Sequence, residues 1–234
     1  MNDDMKEALF QMYSNLSKAE ERQVERGIHD QGLRSQVTSG KHMDCVLDVI
    51  REDLISLGYN EKEVYYKDGC LRIPGWYRPS KNWDLLAFDD NDLLGIIELK
   101  SINSSFGNNS NNRSEESLGS AIDAAHAIKN ELIPFRTIPP MLGYVLIVRI
   151  CEASRRPSIG SLKTVYPIDS VFKRTSYFQK LTIFCHRLLA ERLYQAVWIV
   201  GVDPENREVI EPDSDLTYAK FLTGLKSQLE IHRA

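Results

Sequence analysis

The feature that most constrains this chain is a pair of apolar strands that ends in charge. Trp83-Asp84-Leu85-Leu86-Ala87-Phe88 and the run from Leu93 to Lys100 read as a hairpin, joined by the acidic turn Asp89 to Asp92. Its second strand is nearly all apolar until Glu98-Leu99-Lys100. Side chains alternate between the faces of a strand, so Glu98 and Lys100 project on one side and the hairpin brings Asp84 beside them. The flanking runs Leu85-Leu86-Ala87 and Gly95-Ile96-Ile97 belong in a core. A carboxylate placed against such runs needs a cationic partner. Two carboxylates and an ammonium at the end of an apolar sheet suit Mg²⁺, which takes oxygen ligands and shares them with waters and a phosphate. A metal so placed activates water for attack on phosphorus, and Lys100 is placed to orient or deprotonate that water or to hold the phosphate. The ordinary alternative is a solvated ion pair at a strand end. The spacing D-x13-E-x-K by itself favours that alternative. What shifts the balance is the context, a basic turn before the motif and an Asn-rich stretch after it, both suited to a polyanion.

The rest of the chain is mixed. Asp3 to Gly27 is charged with helical spacing of Ala8, Leu9, Met12, Tyr13 and Leu16, and a Gly/Ser/Gln/Thr-rich loop, Gly32 to Gly40, follows. A second helix starts near Lys41, with Met43, Val46, Leu47, Ile50, Leu54 and Leu57 on one stripe and Gly58 as its stop. Val64-Tyr65-Tyr66 and Leu71-Arg72-Ile73 suggest a hairpin around Asp68-Gly69. Pro74 to Pro79 reads as a rigid, aromatic, basic turn. Ser101 to Asn112 reads as a polar loop, with Ser114 as the N-cap of a helix carrying Glu115 and Glu116 in its first turn as capping charges, a place beside the Asp84, Glu98 and Lys100 group being the lesser alternative. Met141 to Ile150 and Ala196 to Val202 are buried strands, Arg155-Arg156-Pro157 a basic loop, and Ser176 to Leu193 and Asp215 to Ile231 helices. The fold class is therefore α/β, a central mixed β-sheet flanked by helices. We expect a single domain, divided into an N-terminal helical extension (1–40), a core (41–202) and a C-terminal helical segment (203–234).

Composition narrows the functions. The 234 residues carry a net charge of -4, which excludes binding of nucleic acid through bulk positive charge but leaves room for a local basic cleft. The 4 cysteines, Cys45, Cys70, Cys151 and Cys185, form no close pairs, so they read as reduced thiols of a cytoplasmic protein and not as zinc ligands. The N-terminus lacks the order of a signal peptide, and no apolar run approaches the ~20 residues of a membrane span. No GxxxxGK[ST] or GxGxxG supports ATP or NAD use.

Several further residues are candidates. Arg78 and Lys81 suit phosphate positioning, with solvated surface charge the equal alternative. Trp76 and Tyr77 read as packing residues. Asn108, Asn109, Asn111, Asn112 and Arg113 suit base reading, since Asn pairs with adenine and Arg with guanine, though Asn and Gly also populate tight turns. Arg155 and Arg156 are candidates for a groove or phosphate contact, or ordinary surface charges. Asp44 is a candidate extra acid, or an exposed charge at a helix start. None of the histidines has metal-ligand spacing.

The run Gly75-Trp76-Tyr77-Arg78-Pro79-Ser80-Lys81-Asn82-Trp83-Asp84 resembles the segment leading into the catalytic Asp of XhoI-type restriction endonucleases. The resemblance continues through Ile97 to Ser101, Ser105 to Asn109, Asn111-Asn112-Arg113 and Glu115-Glu116, and weakly back to Met43-Asp44 and forward to Cys151-Glu152 and Ser176-Tyr177. The Phe-Gly-Asn-Asn…Asn-Asn-Arg run is its most specific part. The resemblance implies a PD-(D/E)xK nuclease core and a type II restriction endonuclease acting on double-stranded DNA as a homodimer. It implies Mg²⁺-dependent cleavage at the palindrome CTCGAG (C^TCGAG) that leaves 5′-phosphates and 5′ overhangs. By position, Asp84, Glu98 and Lys100 become the catalytic triplet, with Asp84, Glu98 and the Leu99 carbonyl as metal ligands. Trp83 stands where Pro often precedes the Asp. A cognate DNA methyltransferase is implied as a genetic partner. The competing classes are a structure- or lesion-selective repair nuclease and a non-catalytic DNA-binding regulator on the same fold.

Overall fold

In a computed structural model, residues 1–25, 41–67, 70–157 and 164–234 are described. Helix α1 (Asp3–Glu25) and helix α2 (Asp44–Ser56) come first, α2 being preceded by a short 3-10 turn, Lys41–Met43. Gly58 follows α2 with φ of +108°, a conformation that glycine adopts without strain and that ends the helix as expected. Strands β1 (Val64–Tyr66), β2 (Arg72–Pro74), β3 (Ser80–Asn82), β4 (Leu85–Asp89) and β5 (Asp92–Ile102) lead into the long helix α3 (Phe106–Lys129). Then come β6 (Met141–Arg149), the short α4 (Glu152–Arg155), α5 (Tyr177–Ala190), β7 (Ala196–Asp203), β8 (Glu208–Ile210) and α6 (Tyr218–Arg233).

Six strands form one mixed sheet in the order β1-β4-β5-β6-β7-β8. The β4–β5 hairpin is antiparallel as expected, while β5, β6 and β7 run parallel. Parallel neighbours require a crossover, and α3 supplies it between β5 and β6. The expected α/β class with helices on both faces is what forms. One face is closed by α1, α2 and α6, whose Leu9, Ile50 and Phe221 pack with Ile97, Leu99, Val145 and Trp198. The other is closed by α3 and α5, whose Ala121, Ala124 and Leu181 pack with Ile96, Tyr144, Leu146 and Ile199. From Ile96 onward, even and odd positions of β5 thus enter different cores, as strand alternation dictates, while the bulge opposite Ala87 and Phe88 reverses that order at Leu93 and Leu94.

Five local expectations are corrected. Residues 64–66 and 71–73 do not pair with each other: β1 joins the main sheet beside β4, and β2 forms a separate ribbon with β3. Burial decides this, because Val64 reaches the core beneath α2, whereas Ile73 belongs to the core on the other face. The residues of the proposed turn, Asp68 and Gly69, lie outside those described, as does the loop Gly32 to Gly40.

The polar stretch 101–112 is not a loop. Strand β5 continues to Ile102, and α3 begins at Phe106, with Ser105 as N-cap in the left-handed region at φ of +50°. Ser114 therefore caps nothing and lies inside the helix. Its neighbours explain how so polar a segment stays helical. Ser114 Oγ donates to the Ser110 carbonyl at 2.9 Å and Ser117 Oγ to the Arg113 carbonyl at 2.8 Å, so the hydroxyls bond one turn back instead of competing with the helix. Phe106 is buried and lies 6.1 Å from the ring of Tyr177, which anchors the first turn. Tertiary contacts override weak propensity here.

Arg155, the first residue of the expected basic loop Arg155-Arg156-Pro157, closes a one-turn helix, Glu152–Arg155. The C-terminal segment also contributes a strand, since β8 pairs antiparallel with β7 and forms the sheet edge. Among the described residues, no helix is long and apolar enough to cross a membrane.

Candidate active site

The sheet register brings Asp84 to Glu98. Leu85 pairs with Ile97, so Asp84, one residue before β4, falls opposite Glu98. Two backbone bonds fasten it: the Asp84 N–H donates to the Ile97 carbonyl at 3.1 Å, and the Leu99 N–H donates to Asp84 Oδ2 at 2.7 Å. Trp83, although it lies just outside the strand, is only 1% exposed and donates its N–H to the Leu71 carbonyl at 2.9 Å. The Asp thus hangs from a buried aromatic anchor at the mouth of the hairpin.

Glu98 is 3% exposed and sits between two ammonium groups. Lys81, from β3, reaches its Oε2 at 2.8 Å, and Lys100, from the same strand, pairs with its Oε1. Lys81 also lies 4.5 Å from the centre of the Trp83 ring, a cation–π contact. Burial, and after it the nearby Glu98 carboxylate, push the Asp84 carboxyl up to about 6. Burial acts to lower the Lys100 ammonium, but the Glu98 and Asp84 carboxylates outweigh it and hold that group above the usual lysine range.

A cleft of about 560 Å³ opens over these groups. Its lining includes Asp84, Glu98, Leu99 and Lys100 from the hairpin, Arg78 and Lys81 from the ribbon, and Arg113, Glu115 and Glu116 from α3. Nine of the residues singled out in the sequence therefore converge. Arg113 Nη1 holds Glu116 Oε2 at 2.6 Å, and its positive charge reaches Lys100. Glu115 and Glu116 face the cleft from mid-helix and cap no terminus, so their expected capping role is replaced by a place in the site.

Other candidates stand apart. Asn108, Asn111 and Asn112 are exposed on the first turns of α3, and Asn109 donates from Nδ2 to the Ser104 carbonyl at 2.6 Å. None of the four lines the cleft. Asp44 opens α2, whose apolar stripe packs on the opposite face of the sheet, and it is not part of the cleft lining. Arg155 lies 4.0 Å from both Asp203 and Glu208 near the β7–β8 edge, and neither it nor Arg156 lines the cleft. Trp76 and Tyr77, expected to pack, do rest on His126 at 6.5 and 5.4 Å between ring centres, yet stay 45% and 66% exposed.

Residues that sequence reasoning passed over also line the cleft. His42 approaches Ser101 Oγ at 2.9 Å through its Nε2, and both line the cleft beside Lys100, with Asn82 and Ser120. His42 and Ser101 are 59 positions apart, so no local pattern joins them. Asp123, buried on α3, holds the turn that carries Arg78.

The donor chemistry suits a hard divalent cation. Asp84 and Glu98 are adjacent carboxylates whose mutual repulsion a cation relieves, and hard cations take carboxylate and carbonyl oxygens. Among the described residues, no three His, Cys, Asp or Glu side chains cluster as a complete metal cage. Two carboxylates with waters and substrate phosphate are the arrangement Mg²⁺ accepts.

The family model "Restriction endonuclease XhoI" matches residues 22–211. The type II restriction enzyme XhoI of Xanthomonas vasicola is 37% identical over 95% of this chain and 85% of its own length. The type II restriction enzyme BstVI of Geobacillus stearothermophilus is 33% identical over 88% of this chain and 94% of its own. The type II restriction enzyme AbrI of Azospirillum brasilense is 37% identical over 64% of this chain and 68% of its own. No solved structure matches the chain. A matching family model across most of the chain and relatives spanning nearly their full length lead to one conclusion: the chain belongs to the XhoI family of type II restriction endonucleases.

Proposed function

We propose that this chain is a Mg²⁺-dependent, site-specific deoxyribonuclease that cuts both strands at CTCGAG, leaving 5′-phosphates and 5′ overhangs. The observation that carries the chemistry is the joining of Asp84, Glu98 and Lys100 at the mouth of one buried hairpin, beneath a cleft with Arg78, Lys81 and Arg113 on its walls. The target follows from the resemblance to the XhoI-type segment. The single domain spanning 1–234 then works as a homodimer, because a palindrome presents the same half-site twice and a two-fold dimer reads both. A methyltransferase of the same specificity protects host sites, and the enzyme works in the cytoplasm.

Asp84, Glu98 and the Leu99 carbonyl would hold the metal, which when bound supplies Lewis acidity and an activated water. Leu99 N–H fixes one oxygen of Asp84, which leaves Oδ1 as its free donor. Lys100 Nζ, held against Glu98, is the group that orients the attacking water and stabilises charge on the phosphate. Lys81 shares Glu98 and steadies it from the other side. Arg78 and Arg113 line the same cleft and are suited to the flanking phosphates. The exposed face of Asn108, Asn111 and Asn112, with Asn109 behind it, is the surface suited to base edges. Arg155 and Arg156 are left to more distant backbone contacts, and Asp44 to an accessory role.

The test is incubation of purified protein with plasmid DNA and Mg²⁺, followed by sequencing of the fragment ends. Discrete fragments ending at C^TCGAG support the reading. A smear, cleavage at junctions or lesions, or binding without cutting overturns it.

A further inference from the structure

Asp123 is a buried carboxylate outside the catalytic triplet, 2% exposed, on the face of α3 that meets the aromatic turn. Its Oδ1 accepts the backbone N–H groups of Trp76 at 2.8 Å and Tyr77 at 2.7 Å. Its Oδ2 accepts Arg78 Nε at 2.8 Å. Three donors that are consecutive in sequence thus converge on one side chain some 45 positions away. The approach is close: a Cβ on Gly75 would stand 2.6 Å from Asp123 Oδ2, so only glycine fits there. One turn along α3, His126 supports the rings of Trp76 and Tyr77.

The consequence is directional. Arg78 spends Nε on Asp123, and among the described residues its charge pairs with no other carboxylate. Its side chain remains 42% exposed and lines the catalytic cleft. A guanidinium tethered at Nε keeps its two terminal nitrogens for a second, forked partner, and a phosphate matches that fork. The same carboxylate orders the turn, so loop and guanidinium are set in place before DNA arrives. Preorganisation of this kind saves the ordering cost at binding.

We propose that Asp123 is the positioning residue of the active site: through two backbone N–H groups and Arg78 Nε it sets the 75–79 turn so that the Arg78 guanidinium meets a phosphate of the bound strand. The inference rests on the reading of Arg78 as a phosphate contact, and the experiment separates the two.

Binding of a short duplex carrying the wild-type cleavage site is measured against salt with Ca²⁺ in place of Mg²⁺, for wild type, Arg78→Ala, Asp123→Asn and the double variant. Asp123→Asn retains an acceptor for the two backbone N–H groups and removes the charge that holds the guanidinium. Arg78→Ala is expected to lower the salt slope by about 0.9, the value of one phosphate contact. Asp123→Asn is expected to lower it in the same direction and, in a parallel cleavage assay with Mg²⁺, to raise KM more than it lowers kcat. The double variant is expected to be no weaker than Arg78→Ala alone, since Asp123 acts through Arg78. A merely structural role would leave the salt slope unchanged in Asp123→Asn, or would make the two losses add, and either result overturns the proposal. An unchanged slope in Arg78→Ala overturns the phosphate reading itself and takes the inference with it. Asp123→Glu serves as the conservative variant: it restores the charge, and recovery of the slope supports the tether while its failure to exceed Asp123→Asn counts against it.

Discussion

Ile97 and Leu99 enter the core beneath α1, α2 and α6, while Glu98 and Lys100, their neighbours on the same strand, enter the layer beneath α3. Three of the four are almost equally secluded, with Ile97 and Leu99 at 0% and Glu98 at 3% exposure, and the Lys100 side chain is 20% exposed. Their energetics are opposite. On the first face burial removes apolar surface from water and stabilises the fold. On the second it strips water from charges, and the fold holds them only by setting ammonium groups from Lys81 and Lys100 against Glu98. The strand is therefore stabilised on one side and strained on the other. That division lets one rigid element carry both the core and the chemistry.

Breaking the charged face should destroy activity with little loss of fold. Lys100→Ala is expected to lower the cleavage rate by roughly 10²–10⁴-fold, the range for loss of a positioned proton-handling group. Single-turnover assays measure it, and site-specific binding in Ca²⁺ should persist. Breaking the apolar face should do the reverse. Ile97→Ala is expected to cost about 2–5 kcal/mol of stability in urea unfolding, with the rate per folded molecule near wild type. A rate loss matching that of Lys100→Ala would show that the two faces are not separable.

The smallest effect sharpens the comparison. The Asp84 carboxyl is pushed up to about 6, mainly by burial, so the metal-free folded state binds a proton more tightly than the unfolded chain. Stability should then fall as pH rises from about 4 to about 6, and stay lowered above that. Asp84→Asn removes the penalty and is expected to raise metal-free stability at neutral pH by about 1–3 kcal/mol while abolishing cleavage. Below pH of about 4 the two proteins should converge. Thermal unfolding across pH checks this, and added Mg²⁺ should narrow the gap by stabilising wild type alone.

The β4–β5 hairpin of the candidate site was legible because its information is local. Alternation along Gly95 to Lys100 fixes which residues share a face and the short turn makes Leu85 to Phe88 the partner strand, while the bulge between Ala87 and Phe88, which no local pattern announces, sets the register that puts Asp84 opposite Glu98. The segment from Phe106 to Arg113 misled for a physical reason. Asn, Ser and Gly favour turns by local propensity, whereas the helix there depends on Phe106 meeting Tyr177 and on serine hydroxyls bonding back along the helix. His42 and Asp123 escaped notice for a related reason. Neither belongs to a spaced motif, and each gains its role from a partner far along the chain, Ser101 for one and Arg78 for the other.

By itself the sequence determined the long strands of the sheet, the α/β class, the acidic and basic groups of the site and the resemblance to XhoI-type enzymes. These are properties of periodicity and of short contiguous runs. Only the tertiary structure decided that Lys81 would share Glu98, that Glu115 and Glu116 would face the cleft, and that Asp123 would hold the aromatic turn. Those depend on how the β2–β3 ribbon and α3 pack around one end of the sheet. Such packing is set by burial summed over many residues, which no short window of sequence contains.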